Sequence, residues 1–340
     1  MVSARRRRPA VTRPARNLRV AAVVDAFTAA CLAPEVRLLS VDARIWRLQL
    51  AAFRPHLLFV ESAWRGRAGS WTGKVARYPG RPRSRTLDRV VDYCRARGIP
   101  TVFWGKEDPV LFDRFVDAAR LFDVVFTTDA DCVDAYVARC GLPPDRVHPL
   151  PFAAQPALHY PPRGPRTDTV CFAGSYGEPE FADRRRHLDM LLDAAADFDL
   201  VIYDRNSAAK TAHKAFPPRF ARYLRPAIDY RRLADEYRRH KVFLNVNSVA
   251  TSPTMFARRV FELLACGTAV VSTPSVGMER LFGGVVAVAR STDEARRAIR
   301  RFLSDDDYRD AVAAEGIERV RSAHTYAHRV DAICRAVGLA

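Results

Sequence analysis

Lysine is nearly missing from this chain: of 55 basic residues only five are lysine, Lys74, Lys106, Lys210, Lys214 and Lys241. The formal charge of +17 is therefore carried by arginine in an alanine-rich sequence. That skew is compositional, and no nucleic-acid partner is expected from it. No apolar run reaches the ~18 residues that span a bilayer, and the arginine-rich start is followed by no secretory apolar segment. These two absences predict a soluble, cytoplasmic protein without stable membrane insertion. The seven cysteines are scattered, odd in number and without a C-x-x-C pair. A disulfide framework and a zinc site are both disfavoured, and free buried thiols in a reducing compartment are expected. The full G-x-G-x-x-G fingerprint is absent as well, so no dinucleotide cofactor is indicated.

What is present is a chain of 340 residues with an apolar fraction of 49%. That length suits two domains better than one core, and two domains imply a cleft between them. Residues 1–16, with Arg5 to Arg8, Arg13, Arg16 and several prolines, read as a disordered basic tail. From residue 17 to 155 short apolar runs alternate with helical stretches, the pattern of a doubly wound α/β domain. The strands are placed at 18–24, 57–60, 101–104 and 124–127, and the helices at 43–53, 84–97, 111–120 and 131–140. The prolines and glycine of Pro156 to Pro165 mark a stiff linker over 156–168. A second βα series fills 169–322, and a helix over 323–340 is placed to pack back on the first domain.

In doubly wound domains the loops after the strands carry the chemistry. In the first half these hold Glu61-Ser62-Ala63-Trp64, Gly105-Lys106-Glu107-Asp108-Pro109 and Thr127-Thr128-Asp129. Glu107 and Asp108 are candidate base, electrostatic stabiliser or hydroxyl ligand, and Asp108 with Pro109 equally suits a helix cap. Asp129 reads as a cap. Trp64 and Trp71 read as stacking surfaces or as ordinary packing, and the glycine-rich 69–74 segment as a lid. In the second half Gly174 follows the first strand directly, permitting close backbone approach to a ligand. Arg205 sits at the next strand end, with a basic loop including Lys210 behind it. Cations there suit a diphosphate or a solvated surface.

The stretch from Asn247 to Pro274 reads as strand end, polar loop, helix, glycine turn and strand. Ser252 as N-cap and Pro253 at the first position predict a helix over 254–266, with free amides near Thr254 to Phe256 forming an anion site. Arg258, Arg259 and Glu262 share one side of it at i, i+3 and i+4 spacing.

Taken together, the segments at 61–64, 100–109, 122–129, 150–156, 172–176 and above all Ser252-Pro-Thr-Met-Phe-Ala-Arg-Arg-Val-Phe-Glu-Leu-Leu-Ala-Cys-Gly-Thr268 resemble bacterial glycosyltransferases of GT-B architecture, specifically the CgeB-like and YkvP-like group. The resemblance runs from about residue 18 to 330. It implies two Rossmann-like domains facing a cleft, a nucleotide-diphosphate sugar held by the C-terminal one, and an acceptor (a glycan, a cell-envelope component or a small molecule) met from the N-terminal one. Glu262 matches the second glutamate of the E-x7-E pair of retaining relatives, the one that holds the ribose. Thr254 stands where the first glutamate would be. Arg258 would face the diphosphate with Arg205, Lys210 and the amides near Gly174 and Ser175, without a metal, while Glu107 and Asp108 would act near the acceptor. The same fold also accommodates a nucleotide-sugar epimerase or a binding protein without turnover.

Overall fold

A computed structural model of the chain describes residues 17–80, 82–177, 181–208 and 215–339. The basic tail, Lys210 and His213 lie outside the described residues. Two six-stranded sheets form the frame, and every pairing in both is parallel. The first contains β1 (Arg19–Val23), β2 (Arg37–Ser40), β3 (Leu57–Glu61), β4 (Thr101–Gly105), β5 (Val124–Thr127) and β6 (Val147–Pro149), in the order β2-β1-β3-β4-β5-β6. The second contains β7 (Thr167–Gly174), β8 (Leu200–Asp204), β9 (Leu224–Arg225), β10 (His240–Asn245), β11 (Ala269–Ser272) and β12 (Ala287–Val288), ordered β12-β11-β10-β7-β8-β9. Parallel strands need crossovers, and helices on both faces then bury both sides of each strand, which is why β3, β4 and β5 read as continuous apolar runs.

The crossovers of the first domain are α1 (Ala26–Leu32), α2 (Trp46–Phe53), α3 (Thr86–Arg95), α4 (Phe112–Ala119) and α5 (Val133–Cys140). Those of the second are α6 (Ala182–Ala195), α7 (Tyr230–Arg239), α8 (Arg259–Ala265) and α9 (Val276–Phe282), followed by α10 (Thr292–Ser304), α11 (Asp306–Ala323) and α12 (Tyr326–Ala336). Strand order reverses between β1 and β3 in one sheet and between β7 and β10 in the other. Such switch points open a crevice at the strand C-termini, and here the two crevices face each other.

Two of the sequence expectations need correction. The helix expected over 254–266 begins at Arg259. Ser252 Oγ accepts from Thr254 N (3.3 Å) and Met255 N (2.8 Å), and Asn247 Oδ1 accepts from Ala257 N (3.2 Å). Of the amides expected to form an anion site between Thr254 and Phe256, those of Thr254 and Met255 are therefore spent on Ser252. Asp108 caps no helix either, since α4 starts at Phe112 behind Leu111.

The domains are tied together at several points. Arg329 of α12 donates to the Pro151 and Phe152 carbonyls of the connecting segment, each at 2.7 Å. Gln155 Nε2 donates to Cys31 O (2.7 Å) and Glu35 Oε1 (2.9 Å). One apolar cluster runs through both sheets without a break, from Val20 and Phe59 through Phe152 to Phe172, Phe243 and Ile333.

Candidate active site

On the first-domain side of the crevice a buried ammonium organises the ends of β1, β3 and β4. Lys106 Nζ lies 3.0 Å from Asp25 Oδ2, 3.0 Å from Glu61 Oε1 and 3.9 Å from Glu107 Oε1, and it stands over the Phe27 ring at 4.3 Å. Burial alone would lower its pKa, but the three carboxylates raise it and keep it charged. Glu61 is fully buried and fixes the start of α1 by accepting from Asp25 N and Thr28 Oγ1, each at 2.6 Å. Asp25 in turn accepts from the amides of Trp64 (3.2 Å), Arg65 (3.1 Å) and Gly66 (2.9 Å), which shapes the loop after β3. Its pKa is lowered because Lys106 and these amides outweigh burial.

Glu107 and Asp108 are neighbours with different surroundings. Glu107 is half-buried above Lys106, beside the Trp64 side chain. Burial raises its pKa, with Lys106 pulling the other way. Asp108 turns into the first domain, accepting from Thr127 Oγ1 (2.7 Å) and Tyr136 O–H (3.2 Å), and burial pushes its carboxyl up to about 7. Gly105 makes room for it, since a Cβ there would sit 2.2 Å from Asp108 Oδ2. Trp71 is fully buried with Nε1 donating to Val41 O (2.8 Å), so it packs and does not stack on a ligand. Trp64 lines the crevice against Phe115, edge to face at 5.1 Å.

The facing wall is cationic. Arg205 leaves the end of β8, its amide donating to Gly174 O (3.0 Å) and its guanidinium to Ser175 Oγ (3.3 Å). Arg258 and Arg259 open α8, and Arg259 lies against Gly174, where a Cβ would come within 3.3 Å of its guanidinium. Behind them Arg184 donates to the Ser175 (3.2 Å) and Tyr176 (2.9 Å) carbonyls. Burial first, then the charges of Arg259 and Arg205, push Arg184 down to about 10. Desolvation, Arg259 and Arg258 lower Arg205 in the same sense. Guanidinium groups gathered this closely repel one another, and an anion between them would relieve that repulsion.

Glu262 stands one layer behind this wall, with no exposed surface. Tyr230 donates to its Oε1 (2.7 Å) and Tyr237 to its Oε2 (3.1 Å), and Arg258 Nε lies 2.8 Å from Oε1 as an ion pair whose N–H is not aligned for a hydrogen bond. Burial would raise the Glu262 pKa, but Arg258, His159 and the two tyrosines hold it low. Arg258 reaches across the crevice as well, its guanidinium 3.7 Å from the Phe27 ring of α1 and 5.1 Å from Tyr230. Thr254 faces the first domain, with Oγ1 donating to Thr128 O (2.9 Å) and accepting from Ala130 N (2.8 Å). Ser252 Oγ completes the contact by donating to Asp129 Oδ1 at 2.6 Å. Asp129 also caps the turn at Asp131, as the sequence suggests.

The structure thus brings Gly174, Arg205 and Arg258 to one cavity of about 870 Å³, with Ser175 beside it and Glu107 against its Trp64 wall. Glu262 supports from behind, Asp108 points away, and Thr254 joins the domains. Phe27, Tyr230 and Arg259 line the same cavity and were not among the sequence candidates. Phe27 and Tyr230 sit on helices that the apolar pattern did not reveal. Arg259 was legible as one member of the arginine pair opening α8.

Two Rossmann-like domains that meet at their strand C-termini, with carboxylates on one wall and arginines on the other, have the architecture of GT-B glycosyltransferases. Residues 181–335 match the model of the family described as glycosyl transferase-like, while no curated protein matches the chain. Among solved structures, the Anabaena protein HepE in complex with UDP and glucose aligns over 94% of this chain and 91% of its own, at 11% identity and TM-score 0.57. A glycosyltransferase from Rickettsia africae aligns over 95% and 98%, at 9% identity and TM-score 0.55. Sucrose-phosphate synthase from Thermosynechococcus elongatus aligns over 87% and 77%, at 15% identity and TM-score 0.53.

Proposed function

We propose that this protein transfers a sugar from a nucleotide-diphosphate donor to a hydroxyl acceptor, without a metal. The observation that carries the reading is the arginine cluster of Arg205, Arg258 and Arg259 around Gly174, facing a cavity large enough for a nucleotide sugar. Guanidinium groups fixed there can take up the charge that develops on a departing diphosphate, the task a metal ion performs elsewhere. Gly174 lets the phosphates approach the backbone, and Lys210 belongs to the same basic edge by sequence. Glu262 orders Arg258 and Tyr230 for this purpose; a direct ribose contact would require one of them to yield an oxygen. Glu107, on the opposite wall with a raised pKa, is the group that would accept the acceptor's proton. Asp108 supports that loop from within. The family match over the second domain and the UDP held by the HepE structure agree with a UDP-type donor.

The test is titration of the protein with UDP and UDP-glucose. At 100 times the dissociation constant a ligand adds about 2.7 kcal/mol of stability, readable as a thermal shift. Arg259→Ala should weaken UDP roughly 10- to 100-fold, since a hydrogen bond to a charged group is worth about 1.5–3 kcal/mol. No response to any nucleotide would overturn the reading. One observation favours a second reading, nucleotide-sugar binding without turnover. Thr254, which stands where retaining relatives carry a glutamate, is spent on the domain contact. Tight UDP-sugar binding with no UDP release in the presence of any acceptor would select that alternative.

A further inference from the structure

The acceptor wall of the cavity is mostly apolar, and most of its polar groups are already paired. It consists of Phe27, Trp64, Ala26 and Ala68, with Asp25 and Arg65 as its charged members. Both Asp25 oxygens are committed to three backbone amides and to Lys106. The Trp64 indole lies beside the Glu107 carboxylate and presents its ring to the cavity. The facing tyrosines turn their hydroxyls away as well, Tyr203 to Glu236 at 2.9 Å and Tyr230 and Tyr237 to Glu262. What they present to the cavity is ring surface. Arg65 is exposed at the rim, where its charge stays in water.

A free sugar or sugar phosphate carries several hydroxyls that each need a partner when desolvated. Each one left unpaired costs roughly tenfold or more in affinity. A wall of aromatic faces and methyl groups answers the opposite kind of molecule, one with apolar surface around a single reactive hydroxyl. Resting on the transferase reading above, we infer that the acceptor is an alcohol or phenol carried on an apolar, ring-bearing body, and that free sugars and sugar phosphates are excluded from this wall.

Ala68 offers a clean probe of the wall. It is exposed to the cavity with φ +47°, a backbone conformation that aspartate and asparagine adopt more readily than alanine. Ala68→Asp therefore places a charge on the wall without straining the loop, and Ala68→Asn is the neutral control. Full-length protein is titrated calorimetrically with 2-naphthol and with glucose 6-phosphate, each with and without saturating UDP. The expected result is naphthol binding that weakens at least tenfold in Ala68→Asp and less in Ala68→Asn, unchanged UDP affinity in both variants, and no glucose 6-phosphate binding. Glucose 6-phosphate binding as well as or better than naphthol, naphthol binding indifferent to Ala68→Asp, or no naphthol binding at all would each overturn the inference. Failure of UDP to bind is read in a separate titration and would sink the transferase reading instead.

Discussion

At the scale of single residues, Glu107 and Asp108 show how little sequence distance constrains a carboxylate's role. Glu107 keeps one face toward Trp64 and the crevice, whereas Asp108 is 1% exposed and bonded to Thr127 and Tyr136. Its carboxyl is raised from 3.8 to about 7 by burial, and the sign of the consequence follows. Below about pH 4 the folded and unfolded chains both hold this proton. Between about pH 4 and 7 only the folded chain holds it, so stability falls as pH rises, and above about pH 7 the loss is constant. The loss is on the order of 4 kcal/mol, given about 1.4 kcal/mol per pKa unit. Asp108→Asn, which keeps the side chain's shape without ionising, should flatten this segment of the stability profile and leave the variant more resistant to urea than the parent at pH 8. Identical pH profiles for the two proteins would show that Asp108 does not titrate in the fold.

At the scale of elements, the segment between β10 and α8 carries most of the difference between expectation and structure. The strands on either side were legible because they are buried on both faces and read as unbroken apolar runs, and the glycine turn at Gly267 marks the end of α8. Ser252 was legible as a capping residue, but its hydroxyl closes a turn and reaches Asp129 of the other domain. Thr254 was legible only as a departure from a resemblance, because its partners lie more than 120 residues away. A different reason hid α1 and β2, whose short, alanine-rich or half-exposed sequences carry no strong period. Phe27, and with it the far contact of Arg258, went unseen for that reason. The Thr254 contact is a latch between domains, and Thr254→Val should remove both of its hydrogen bonds. Each is worth about 1 kcal/mol net, with more lost where a buried group is left unpaired. The expected outcome is faster amide hydrogen exchange at residues 128–132, with the exchange of β7 and β10 unchanged. Equal exchange at 128–132 in both proteins would mean that the two domains hold together without it.

At the scale of the whole molecule, the two sheets share one apolar cluster, and the connecting segment is pinned by a charge with no carboxylate partner among the described residues. Arg329 is buried and its pKa is lowered to about 10 by that burial, yet it spends its guanidinium on the carbonyls of Pro151, Phe152 and Ala323. A buried charge held by carbonyls is maintained only while all of them stay in place. Arg329 therefore acts as a staple from α12 across the junction where the chain passes from one domain to the other. The continuous core predicts one cooperative calorimetric transition for the parent, with equal calorimetric and van't Hoff enthalpies. Arg329→Met keeps the apolar stem of the side chain but removes the donor to three carbonyls, of which the buried Phe152 carbonyl, left unpaired, costs about 1–3 kcal/mol. The transition should move to lower temperature and resolve into two, the first domain separating from the second. Saturating UDP should then raise only the transition that belongs to the second domain, because the arginines that would hold it lie there. A single transition that UDP shifts as a whole, in the variant as in the parent, would show that the shared core alone couples the domains.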